Sequence, residues 1–330
     1  MIETELKFQV PPERAARLER AVATATAQTT RLQAVYAETA DRRLAAHAMA
    51  LRLRKEGRVW VQTLKGRGDG LMNRLEHEVP LPPAASKGGV IPVLDVQRHA
   101  GTAVGDRLIA LLNGERLQPL YTTDIRRLHR VVRSRGLRVE VAYDRGWLVA
   151  GEGAQRRRLA VNEIEFELLE GSPSAFVAFA AAWTARHGLW WDCRTKSERG
   201  MRLALDRPRV PATLAVPATR SPRLAALARS RQRVVAALAH ALPNAAEIAS
   251  GLDAAEHGQQ LVLAMRALRA ALQQGVDAAP GTPAVTTAQA LLDAAGLASP
   301  RPPDAEAICG PAFQQLLLGC LGWALASDGA

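Results

Sequence analysis

The chain opens with Ile2-Glu3-Thr4-Glu5-Leu6-Lys7-Phe8, in which charged residues alternate with uncharged ones. Alternate side chains of a β-strand share one face, so Glu3, Glu5 and Lys7 would all point to the same side. The residues between them would form the opposite face, which ends in Leu6 and Phe8. Two anions and a cation side by side indicate a face that surrounds an ion.

Five further segments repeat this alternation. Their charged positions are Arg52 and Arg54; Lys65; Arg74, Glu76 and Glu78; Arg138, Glu140 and Asp144; and Glu163, Glu165 and Glu167. Each segment predicts a strand with one charged face, and a solvated outer face is the usual explanation of one such strand. Six faces of mixed sign instead suggest a polyvalent anion and divalent cations between them, because Arg and Lys bind phosphate oxygens and clustered carboxylates bind Mg²⁺ or Mn²⁺.

The order of these motifs resembles that of the CYTH superfamily of triphosphate tunnel enzymes, over roughly residues 1 to 205. The matching segments are Glu3-x-Glu5-x-Lys7, Arg52-x-Arg54, Thr63 to Lys65, Arg74-x-Glu76-x-Glu78, Thr123 to Arg127, Glu140 to Gly146, Glu163 to Leu168 and Lys196 to Gly200. The resemblance implies an α+β fold, namely a closed antiparallel eight-stranded β-barrel tunnel with flanking helices. It also implies metal-dependent hydrolysis of inorganic triphosphate to pyrophosphate and phosphate.

The same resemblance implies a role for each charged position. Substrate oxygens would be bound by Lys7, Arg52, Arg54, Lys65, Arg74, Arg127, Lys196 and Arg199, and catalysis would rest on Glu165, Lys7 and Lys65. Mg²⁺ or Mn²⁺ would be held by Glu3, Glu5, Glu163 and Glu165, whereas Glu76, Glu78, Glu140, Asp144 and Glu167 would orient the basic side chains. The chain has no phosphate-binding Gly-x-x-x-x-Gly-Lys-Ser/Thr loop and no Gly-x-Ser-x-Gly nucleophile turn, which favours direct attack by water.

Two other classes of function stay open. A CYTH-type adenylate cyclase or a thiamine triphosphatase would use the same tunnel, and a polyphosphate-binding adaptor would use it without catalysis. Aromatic residues make up only 4% of the chain and few fall in the inward register, so little is predicted for a purine or thiazolium to stack on. This favours inorganic triphosphate or another small polyphosphate as the partner.

Composition predicts two domains, because 330 residues with 48% hydrophobic content can bury two cores. Residues 1–205 would form the tunnel domain, residues 206–222 a proline-rich linker, and residues 223–330 a helical bundle. The net charge of +11 lies entirely before residue 220, where a basic tunnel explains it without nucleic-acid binding. No apolar run reaches 18 residues, a charged strand stands at the N-terminus, and the three cysteines lack metal-ligand spacing, so we expect a cytoplasmic protein without a membrane partner.

Helices are predicted at Ala15–Ala25, at Pro92–Asn113 after a Ser86–Gly89 loop, and at Ser172–His187. Four more follow the linker, at Arg223–Ala241, Asp253–Gln274, Thr286–Ala295 and Pro311–Leu325. This last region weakly resembles the CHAD helical domain. Only Arg266 and Arg269 remain of that family's basic run, so a packing role is favoured over polyphosphate contact.

Overall fold

The fold is a closed barrel, seen in a computed structural model that describes residues 2–82, 91–134, 136–216, 225–278, 283–296 and 303–326. Its antiparallel strands are β1 (Ile2–Gln9), β2 (Gln28–Glu38), β3 (Ala50–Glu56), β4 (Val59–Arg67), β5 (Asn73–Pro80), β6 (Gln118–Ser134), β7 (Leu137–Ala150) and β8 (Arg157–Glu170). They pair in the order β5-β4-β3-β2-β6-β7-β8-β1, and β1 also pairs with β5, which closes the ring. The predicted eight-stranded antiparallel barrel is confirmed, and a two-residue strand, β9 (Trp190–Trp191), pairs with β1 outside the ring.

Closure of the ring decides which way the alternating residues point. The apolar residues of β1, β7 and β8 face outwards into the main hydrophobic core, in which the rings of Phe8 and Phe166 are tilted by 50° with centroids 5.6 Å apart. The charged residues therefore face the interior of the barrel. The charged face of these strands is therefore not a solvated outer face, which is the usual explanation of a single such strand. Their outer face is apolar and is covered by helices.

Five helices accompany the barrel: α1 (Ala15–Val22), α2 (Arg43–Ala46), α3 (Ala103–Leu112), α4 (Pro173–His187) and α5 (Lys196–Leu205). Helix α4 confirms the predicted Ser172–His187 segment, with Ser172 as its N-cap. The single helix predicted at Pro92–Asn113 is wrong. A short 3-10 helix ends at His99, and α3 begins after Thr102, whose hydroxyl accepts a hydrogen bond from the Gly105 backbone. The predicted Ser86–Gly89 loop lies outside the described residues.

The C-terminal region consists of α6 (Ala226–Ala249), α7 (Ala255–Ala278), α8 (Pro283–Gly296), α9 (Ala305–Cys309) and α10 (Pro311–Leu325). The bounds predicted for α10 are confirmed, whereas α6 continues through Pro243 instead of ending at Ala241. Helices α4 and α10 pack together, and the core of the barrel's outer face includes residues of α6, α7 and α10. Of the predicted linker, residues 207–216 have no regular secondary structure, and residues 217–222 lie outside the described part of the chain.

A charged tunnel as candidate active site

Helix α5 closes one end of the barrel. Its N-cap is Thr195, whose hydroxyl accepts a hydrogen bond from the Glu198 backbone at 3.0 Å. Leu203 packs on Ile125 and Leu148, which belong to the inward registers of β6 and β7. The helix thus enters the barrel with its apolar face, and Lys196 at its first turn reaches the charged interior.

Helix α5, which plugs this end of the barrel, borders a cavity of about 1880 Å³ whose wall combines both signs of charge. The cavity continues past α5 to residues of α6, among them His240 and Glu247. The predicted site residues that line it are Glu3, Glu5, Lys7, Arg52, Arg54, Lys65, Arg74, Glu76, Glu78, Arg127, Glu140, Asp144, Glu165, Glu167 and Lys196. Two predicted site residues do not line it. Glu163 and Arg199 pair with each other beneath the wall, where Glu163 is fully buried and Arg199 is 8% exposed.

Three carboxylates of β7 and β8 meet at the plugged end. Asp144 lies opposite Glu163 in the strand register, and each offers an oxygen within 4.8 Å of the other and of Glu165. Among the residues that the structure describes, these three acids form a cluster that could hold a metal ion. We call Asp144, Glu163 and Glu165 the β8 acid group.

Cations neutralise the β8 acid group. Lys196 Nζ lies 2.8 Å from Asp144 Oδ2, 2.5 Å from Glu163 Oε1 and 2.7 Å from Glu165 Oε1. Arg127 Nη2 lies 2.7 Å from Asp144 and 2.5 Å from Glu165. Carboxylates opposite each other would repel, and these contacts offset that repulsion.

The pKa values follow from this balance. Burial alone would raise the pKa of Glu163, but Arg199, Lys196 and Lys7 outweigh it and lower the pKa to about 2. Burial would likewise raise the pKa of Glu165, and Lys196 and Arg127 hold it well below its usual range. Both acids are therefore ionised at neutral pH, as metal ligation requires.

The acids of β1 have different partners. Lys65 Nζ lies 2.8 Å from Glu3 and 2.9 Å from Glu76, and the Arg74 side chain donates to Glu5. Burial raises the pKa of Glu3 above its ordinary value although Lys65 lowers it, and Glu76 adds to the rise. The structure thus places Glu3 and Glu5 on the tunnel wall but outside the β8 acid group.

Two arginines of β3 complete the basic wall. Arg52 donates to the hydroxyl of Tyr36 at 3.1 Å, and Arg54 donates to Glu78 at 3.0 Å. Tyr36 stacks on Tyr121 at the plugged end, with ring centroids 4.6 Å apart. Sequence reasoning did not find either tyrosine, although both follow the inward register of their strands. It also missed Asp192 and Arg194, which carry no alternating pattern because they lie in the turn before α5.

A comparison with family models matches residues 1–200 to the CYTH domain. The chain belongs to the CYTH domain family. Its match ends before the helical region, so the CHAD-like resemblance of residues 223–330 is not confirmed and stays a prediction. Within the described part of the chain, none of the helices has the length and apolar character needed to cross a membrane.

A curated protein, the inorganic triphosphatase of Haemophilus influenzae, is 29% identical over 212 residues. That alignment covers 61% of this chain and 54% of the relative, so the chain matches about half the length of that protein. Among solved structures, an adenylate cyclase candidate from Bacillus halodurans is 21% identical, with a TM-score of 0.38 over 55% of this chain and 88% of that one. HpAC1 from Hippeastrum, for which a dominant triphosphatase activity is reported, is 19% identical, with a TM-score of 0.40 over 61% and 95% of the two chains.

The β8 acid group suits a hard divalent cation. It offers carboxylate oxygens only, which Mg²⁺ and Mn²⁺ prefer over nitrogen and sulfur ligands. Lys196 Nζ lies among these oxygens, 2.5 Å from Glu163 Oε1, 2.7 Å from Glu165 Oε1 and 2.8 Å from Asp144 Oδ2. The three acids together thus surround a position of positive charge, so the residues present fit such a metal.

Proposed function

We propose that the chain hydrolyses inorganic triphosphate to pyrophosphate and phosphate inside the barrel, with Mg²⁺ or Mn²⁺ as cofactor. The observation that carries the proposal is the cavity wall, in which arginines and lysines from five strands and α5 accompany Asp144 and Glu165, with Glu163 buried behind them. A wall of this kind neutralises a polyanion and a divalent cation together. The family membership and the name of the Haemophilus relative point to the same substrate class.

The basic residues would bind the substrate. The residues that line the cavity with nitrogen donors for phosphate oxygens are Lys7, Arg52, Arg54, Lys65, Arg74, Arg127 and Lys196. Such fixed donors would stabilise the charge that develops on the leaving pyrophosphate. Arg199 does not reach the cavity, so it would act by holding Glu163.

The acids would hold the metal. Glu165 and Asp144 face the cavity, Glu163 supports them from beneath, and Glu3 and Glu5 lie farther along the same wall. When bound, the divalent ion would neutralise phosphate charge and acidify water. Binding of substrate and metal would also replace ion pairs within the wall. Phosphate oxygens would take the place of carboxylates at Lys196 and Arg127, and the metal would take the place of these cations at the carboxylates.

The test is phosphate release by the purified full chain with Mg²⁺ or Mn²⁺, comparing inorganic triphosphate, ATP and thiamine triphosphate at equal concentration. Strong preference for inorganic triphosphate is the expected result. Consumption of ATP without phosphate release would replace the proposal with a cyclase. No turnover of any of the three, with triphosphate still bound in calorimetry, would replace it with a binding module.

A further inference from the structure

A buried ion network joins the helical region to the closed end of the tunnel. Glu247 of α6 is 3% exposed and lies 2.7 Å from Arg202 and 3.7 Å from Arg194, measured from Oε1 to each Nη1. Ser250, one turn further along, accepts a hydrogen bond from the Arg194 guanidinium. Two residues of the helical region thus fix the arginine that stands just before α5.

Arg194 carries this contact on to the tunnel wall. Its guanidinium donates to both carboxylate oxygens of Asp192, at 2.9 and 3.0 Å, and its backbone carbonyl accepts a hydrogen bond from Lys7 Nζ. Asp192 in turn accepts from Gln9 at 2.9 Å, and the same amide nitrogen of Gln9 lies 3.2 Å from Glu163. A continuous path therefore runs from α6 to one cation and one acid of the proposed site.

Because this path is buried, its side chains depend on one another for their hydrogen-bond and ion-pair partners. Asp192 is fully buried and Arg194 and Lys7 are each 5% exposed, so water compensates poorly for a lost partner. Loss of one member of a buried charge pair leaves the other uncompensated, which is strongly destabilising for that arrangement. Removing the charge of Glu247 would leave Arg202 and Arg194 with one partner fewer, so we expect Arg194, and with it the carbonyl that holds Lys7, to shift.

We propose that Glu247, assisted by Ser250, is a positioning residue that sets Lys7 and Glu163 through Arg194 and Asp192. The inference rests on the proposed function, in which Lys7 binds triphosphate. It gives the helical region a part in the tunnel that does not require contact with the substrate. It also explains why an acid lies buried on α6, a helix that otherwise offers mainly apolar residues to the core.

The first experiment compares Glu247→Gln with Gln315→Leu in the full chain. Gln315 of α10 donates to the Ala181 carbonyl at 3.0 Å, so it also joins the helical region to the barrel side but does not touch residues 192–196. We expect Glu247→Gln to raise the KM for triphosphate by about 10- to 100-fold, as small displacements of binding groups do. Gln315→Leu should leave KM unchanged even where it lowers Tm, and Glu247→Asp should recover part of the loss.

A double-mutant cycle tests the route. If Glu247 acts mainly through Lys7, Glu247→Gln should raise KM much less in the Lys7→Ala background than in the parent chain. Fully additive effects, or an unchanged KM in folded Glu247→Gln, would overturn the inference.

If the parent chain does not hydrolyse triphosphate, the proposed function is wrong, but the positioning role of Glu247 is not yet tested. Hydrogen exchange of the backbone amides of residues 192–196 then gives the answer without turnover. Faster exchange in Glu247→Gln than in Gln315→Leu is expected, because Arg194 and Asp192 lose their support. Equal exchange in the two variants would overturn the inference.

Discussion

The first and last strands of the barrel carry the same Glu-x-Glu pattern, yet their acids have different surroundings. On β1, Glu3 shares Lys65 with Glu76 and its pKa is raised. On β8, Glu163 contacts Lys196, Arg199 and Lys7, and its pKa falls to about 2. The pKa values differ because the fold brings more cations to Glu163 than to Glu3. The same sequence motif therefore holds a weakly stabilised carboxylate on β1 and a strongly stabilised one on β8.

The acids of β1 and β8 should therefore differ in how much they contribute to metal binding. The members of the β8 acid group lie close enough to share one cation, Lys196, and the pKa values of Glu163 and Glu165 are lowered. The β1 acids lie farther along the wall, where Glu3 contacts Lys65 and Glu5 contacts Arg74. We expect the metal to depend more on β8 than on β1. Three predictions test this contrast and what surrounds it, in order of decreasing effect.

The largest effect is expected from Glu165→Gln. The amide keeps the shape of the side chain but removes an anion, so turnover should fall by at least about 100-fold while triphosphate affinity changes only a few-fold. The matched Glu5→Gln variant should lose about 10-fold or less. Initial rates of phosphate release at saturating Mg²⁺ and calorimetric binding measure both. Equal losses in the two variants would remove the distinction between the strands, and full activity of Glu165→Gln would refute its metal role.

A smaller effect, on binding, is expected from Lys7→Ala. This lysine is 5% exposed and contacts Glu163 of the β8 acid group at 3.8 Å. Its loss removes a charged hydrogen-bond donor, so triphosphate affinity should weaken by about 10- to 100-fold. Titration calorimetry gives the dissociation constant. Arg31→Ala, which removes an exposed pair with Asp124 on the outer surface, serves as the control and should leave affinity unchanged.

The smallest effect concerns Glu167, which lies opposite Glu5 and Glu140 in the strand register. Burial, followed by the charges of Glu3 and Glu140, raises its pKa to about 7. The folded chain then holds a proton that the unfolded chain has lost, so this contribution to stability is present below about pH 4.5 and is lost as the pH rises through 7.

The test is to measure the Tm of the parent chain and of Glu167→Gln as a function of pH. Between about pH 5 and 8, the Tm of the parent should fall more than that of the variant, by on the order of 1–2 °C. Parallel curves would show that Glu167 does not titrate near neutrality.

Local pattern sufficed for much of the fold. The period-two alternation predicted six of the eight strands of the barrel, and the Ser172-Pro173 start predicted α4. Strand β6 was indicated only by the family motif at Thr123 to Arg127, and β2 was not predicted. The helix predicted at Pro92–Asn113 failed because two N-caps, Asp95 and Thr102, divide the segment and Gly101 between them adopts a left-handed φ of 77°. Helix α9 was missed because five residues are too short for a periodic signal.

By itself, the sequence determined which residues carry charge and which face of each strand they share, because side-chain direction in a strand follows position in the chain. Only the tertiary structure decided which acid meets which cation. Closure of the barrel sets Glu3 opposite Arg74, and insertion of α5 brings Lys196 to Glu165, 31 positions earlier. The path from Lys7 to Arg194 spans 187 positions. Coulomb energy depends on separation in space and on burial, and neither is encoded in the local pattern of any strand.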